Sequence, residues 1–131
     1  MLLEALVGLL IFTIGVLGLL GLQASMVQAQ ASANYRAEAA QLATDLTARM
    51  WVDVNRVAEY TDPASCKANA LCNEWLTRVA ARLPGNLPPV IARDDNDRIT
   101  IAISWVTSGD GGDPHTFNTT TSVTPQPPKT P

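Results

Sequence analysis

Charge is missing from the opening of this 131-residue chain. After Glu4 no Asp, Glu, Lys or Arg occurs until Arg36. Proline is also missing until Pro63, so no imino ring interrupts a helix over the first 62 residues. There is one histidine, His115, and there are two cysteines, Cys66 and Cys72. The C-x5-C spacing is neither a zinc nor a thioredoxin pattern. A serine or cysteine hydrolase needs a nucleophile, a base and an orienting acid. No such set is found around His115, so no catalytic residue, cofactor or metal site is assigned. Basic residues are few and unclustered and the net charge is −3, which argues against strong nucleic-acid binding through the soluble part.

What is present begins with an apolar run. Met1 to Leu22 reads MLLEALVGLLIFTIGVLGLLGL. Ala5 to Leu22 is long enough to cross a bilayer, since roughly 20 residues at ~1.5 Å each span ~30 Å. Glu4 lies inside this segment, where a carboxylate is costly in lipid unless paired or close to the interface. The first basic side chain is Arg36, so the chain itself offers no neighbour. The terminal amine of another copy, at Met1, would serve, which points to assembly. The alternative is a carboxylate that stays wet at the membrane surface. The segment differs from a secretory signal peptide in lacking a basic n-region, in length and in having no sharp small-residue cleavage site. Its start looks like that of a chain from which a short basic leader has been removed. Gly8, Gly15, Gly18 and Gly21 fall within it, as ordinary membrane-helix glycines, as points of close helix packing, or as a place of local unwinding near Gly15 to Gly21 in an assembled state.

Apolar periodicity continues beyond the run. Tyr35, Ala39, Leu42, Leu46, Met50, Val54 and Val57 recur at spacings of three and four, the stripe of an amphipathic helix. One helix is expected from about residue 2 to about residue 59, roughly 85 Å long and ended by Thr61-Asp62-Pro63. Pro63 to Asn69 reads as a loop holding Cys66. A short helix over Ala70 to Leu83 puts Cys72, Trp75, Leu76, Val79 and Leu83 on one face, and Pro84-Gly85 ends it. Strands are expected at Val90–Arg93, Arg98–Val106 and His115–Val123. In the second, Ile99, Ile101, Ile103 and Trp105 alternate with Thr100, Ala102 and Ser104. Asp94-Asp95-Asn96-Asp97 and Asp110-Gly111-Gly112-Asp113 read as polar turns, since full calcium-loop spacing is missing. Asn118-Thr119-Thr120 matches a glycosylation sequon but reads as strand filler.

The expected fold is α+β. A long N-terminal helix packs on a small antiparallel sheet of about three strands, with a short second helix. Residues 1–30 form the membrane-spanning half of the helix, 31–123 the head with its amphipathic half, and 124–131 a Pro/Thr-rich tail. About 70 residues beyond the helix are marginal for an independent core, so the head needs the helix stripe or a covalent staple. For Cys66 and Cys72 a structural disulfide is favoured over two free buried thiols or redox chemistry, and it would restrict the unfolded chain by about 2–3 kcal/mol.

The chain resembles the type IV pilin superfamily, which also includes the pseudopilins of type II secretion. The resemblance is carried by Leu2-Leu3-Glu4-Ala5-Leu6-Val7 and the apolar run after it, and the architecture covers the whole chain. Within the superfamily it is most similar to the PilV branch of minor pilins. The residues are Ile14-Gly15-Val16-Leu17-Gly18-Leu19-Leu20-Gly21-Leu22-Gln23, Trp75 in the second helix, Leu83-Pro84-Gly85 and a strand ending Ile99-Thr100-Ile101-Ala102-Ile103-Ser104-Trp105. The resemblance implies a structural subunit of a pilus priming or tip complex and no enzyme. Its implied partners are other minor pilins, the major pilin and a large tip adhesin. Its implied place is the bacterial inner membrane, head in the periplasm, and then the pilus, with roles in adhesion and twitching motility. In the family the mature N-terminus is methylated and the glutamate follows four residues; here Glu4 follows three, Met1 to Leu3. Glu4 would pair with a neighbour's terminal amine. The runner-up is an I-type minor pseudopilin of type II secretion. A membrane-anchored periplasmic enzyme or binding module is the reading from another class.

Overall fold

A computed structural model describes residues 1–109 and 111–127; Asp110 of the second acidic loop and residues 128–131 of the tail lie outside the described residues. The chain divides into two units, residues 1–34 and residues 35–131. The fold is α+β, with a long N-terminal helix packed on a three-stranded antiparallel sheet and short helices between them.

The helix α1 runs Leu2–Val52. The single helix expected to about residue 59 is broken earlier. A 3-10 turn, Val54–Arg56, and a short helix α2, Val57–Thr61, follow instead. The reason is local. Val52-Asp53-Val54-Asn55 joins four residues of modest helix propensity. Asp53 leaves helical geometry at φ −110°, ψ 37°, and Arg56 N–H donates to the Asp53 carbonyl at 2.8 Å. The expected loop from Pro63 is also corrected, because Pro63–Ala68 forms a helix, α3. Asp62 caps it, its Oδ2 accepting from Ser65 N–H at 2.9 Å and Ser65 Oγ–H at 2.7 Å, and Pro63 fits the first turn. The same Asp-Pro pair that stops one helix starts the next.

Helix α4 is Ala70–Arg82. Asn69 caps it by accepting from Leu71 N–H at 3.0 Å and Cys72 N–H at 3.3 Å. The strands are β1 Val90–Arg93, β2 Arg98–Val106 and β3 Pro114–Ser122, in the order β1-β2-β3. Ile101 opposes Ile91 on one side and Thr119 on the other. The buried side chains form one cluster. It takes Ala39, Leu42, Leu46 and Met50 from α1, Trp75 and Val79 from α4, and Ile99, Ile101, Ile103 and Trp105 from β2. The helical stripe and the strand alternation thus meet in one core, as their periods require.

Candidate functional site

Two sets of residues concern function, one in each unit. In residues 1–34 the helix is exposed throughout its apolar run, with Leu9 61%, Phe12 68% and Leu17 67% accessible. An 18-residue window of α1, near the N-terminus, has mean hydropathy 2.6 and no burial, so it is long and apolar enough to cross a membrane. Glu4 is the acid of the first turn, which closes with Ala5 N–H donating to the Met1 carbonyl at 3.3 Å. Among the described residues Glu4 joins no ion pair.

The glycines are not scattered around this helix. At ~100° per residue, Glu4, Gly8, Gly15, Gly18 and Gly21 fall within an arc of roughly 140°. Apart from the adjacent residues and the helix's own backbone, no heavy atom lies within 4 Å of where a Cβ would stand at any of the four glycines. The carboxylate therefore shares a face with the places where another helix could approach most closely. The four glycines are expected from sequence as a set of points of close helix approach; their angular positions unite them with Glu4.

In the head, Cys66 and Cys72 form a disulfide between α3 and α4, with Cα atoms 5.1 Å apart. Both are buried. Trp75 is fully buried, and its Nε1–H donates to the Leu42 carbonyl of α1 at 2.7 Å. This places a hydrogen-bonding tryptophan where α4 crosses the helix stripe. Leu83 is buried, and the turn after it docks on the end of β2, Val106 N–H donating to the Pro84 carbonyl at 3.0 Å. Gly85 has φ +98°, and a Cβ there would stand 3.0 Å from Val106 Cβ. Trp105 stacks on His115 with ring centroids 5.8 Å apart. Ile101, on the same face of β2 and two inward positions before Trp105, is fully buried.

Electrostatics fix the helices to each other. Three ion pairs connect α1 to α4: Glu38 with Arg82, Asp45 with Arg78 at 3.0 Å, and Arg49 with Glu74 at 3.1 Å. Arg49 also donates to the Leu71 carbonyl at 2.9 Å. Its hydrogen bond to Glu74 raises the Arg49 pKa and lowers that of Glu74.

A second network was not anticipated. Asn69 is the buried polar residue of the core, and its Nδ2–H₂ donates to Asp53 Oδ2 at 2.9 Å and to Glu59 Oε2 at 2.8 Å. Arg56 Nε–H and Tyr60 O–H also donate to Asp53, at 2.8 Å and 3.3 Å. Hydrogen bonding from Asn69, then from Arg56, holds the Asp53 carboxyl below the usual range. Burial, with the Asp53 charge nearby, pushes the Tyr60 phenol up to about 12. The one available sequence signal was Asn69 directly before a helical pattern, a cap position.

The acidic turn before β2 uses its first carboxylate internally. Asp94 Oδ1 accepts from Asn96 N–H at 2.9 Å and Arg98 N–H at 2.8 Å. Asn118 and Thr120 of the sequon lie exposed on β3. Comparison with family models, with curated proteins and with solved structures finds no match.

Proposed function

We propose that this chain is a minor pilin of a type IV pilus, of the PilV type, a structural subunit of the priming or tip complex. The observation that carries the reading is Glu4. It is an unpartnered carboxylate in the first turn of an exposed apolar helix, on the face that also carries the four glycines. A carboxylate is costly in lipid, and pairing with the terminal amine of a neighbouring subunit would offset that cost. The glycine face would let the two helices approach while they pair. In the head, the buried Trp75, the Leu83-Pro84-Gly85 turn and Trp105 are the residues that favour a pilin of this branch. Other minor pilins, the major pilin and a tip adhesin are the proposed partners, the inner membrane the site before assembly. Glu4→Ala is expected to remain in the membrane fraction while its recovery in sheared surface filaments falls. Undiminished recovery of that variant would exclude the pairing role.

A further inference from the structure

We propose that the head bears a two-lobed groove that docks a short apolar segment of a partner protein carrying one acidic side chain. The first lobe is a cavity of about 370 Å³ walled by Tyr60, Pro63, Cys66 and Val90. The second, about 300 Å³, is walled by Val79, Ala80 and Leu87. Lys67, Leu76, Pro88 and Pro89 line both, so the two lobes adjoin. Each volume lies within the range of built ligand sites.

Three observations give the groove this role. Its walls are stiff before anything binds. Pro63 opens α3, Cys66 is tied to Cys72, and Pro88-Pro89 leads into β1, so little flexibility is lost on docking. Its lip is uncovered, since Val90 is 61% exposed. Its charge is of one sign. Lys67 is the one charged residue lining either lobe, and among the described residues it joins no ion pair. The complementary ligand is therefore apolar with a carboxylate. Successive side chains of a polypeptide can enter two adjoining lobes, whereas a single unbranched acyl chain fills one channel. This groove is built from residues of the head alone and does not depend on the pilus reading.

The test uses the full chain in lipid nanodiscs, which avoids detergent in the groove, and fluorescence anisotropy. The probes are capped, fluorescein-labelled peptides: Gly-Leu-Val-Asp-Leu-Val-Gly, its counterpart with Lys for Asp, and its counterpart with Ser for every Leu and Val. The Asp peptide should bind saturably, the Lys peptide about fivefold more weakly, as expected for one near-surface charge pair, and the Ser peptide not at all. Lys67→Glu should reverse the order of the Asp and Lys peptides, and Val90→Asp should weaken the Asp peptide. Both side chains are exposed, so both variants keep the core intact. Equal binding of Asp and Lys peptides, binding of none, or saturable uptake of laurate without uptake of the peptides would overturn the proposal.

Discussion

Asn69 ties the start of α4 to Asp53 and Glu59, 16 and 10 residues before it. It caps α4 with its carbonyl oxygen and bridges Asp53 and Glu59 with its amide. Removing the amide leaves two carboxylates short of a donor and one helix uncapped. Asn69→Ala is therefore expected to destabilise the head by roughly 2–4 kcal/mol, read by urea unfolding. The acid dependence follows from Asp53. Its folded pKa lies below the ordinary 3.8, so its contribution is present above that value and is lost as pH falls through the folded pKa. In Asn69→Ala that acid-sensitive share should shrink. Only the cap position of Asn69 was legible from sequence, because a bridge spanning 16 residues exists only once α1 has stopped and α4 has started. The Glu4 position, by contrast, was visible as the lone charge in an apolar run. What needed a helix to be seen was the face it shares with the glycines.

At the scale of elements, periodicity carried most of the information. The alternation in β2 and the three-four spacing from Tyr35 to Val57 predicted their buried faces, because strand and helix geometry leave little choice. Helix ends were less legible. Asp62-Pro63 reads equally as a stop and as a start, and only the capping contact to Ser65 decides. The break at Asp53 falls in a run of weak helix propensity that the longer apolar stripe masked. The turn after α4 offers a sharp test. Gly85 combines φ +98° with a close approach to Val106 side-chain and backbone atoms. Gly85→Ala should cost about 1–3 kcal/mol, with the loss seen in thermal unfolding and the largest amide shifts at the end of β2. A cost near zero would mean that the turn can move away from β2.

For the molecule as a whole, every core side chain lies between Ala39 and Val123. A chain starting at Tyr35 should accordingly stay folded and leave the membrane fraction, while one starting at Asp53 should not fold. The second deletion removes Leu42, Leu46 and Met50, each worth about 2–5 kcal/mol, against a typical total of 5–15 kcal/mol. Circular dichroism and solubility of the two proteins would check this. The described core thus lies in residues 35–131, while the exposed helix of residues 1–34 is long and apolar enough to cross a membrane. The disulfide has a further, mechanical consequence. If tension along the chain unravelled the head, the six-residue step from Cys66 to Cys72 would yield only its 5.1 Å span instead of the ~20 Å of an extended strand. A stretch beside the groove would then keep its local spacing after the surrounding helices had been drawn out, leaving a short knot of chain from which refolding could restart when the tension fell.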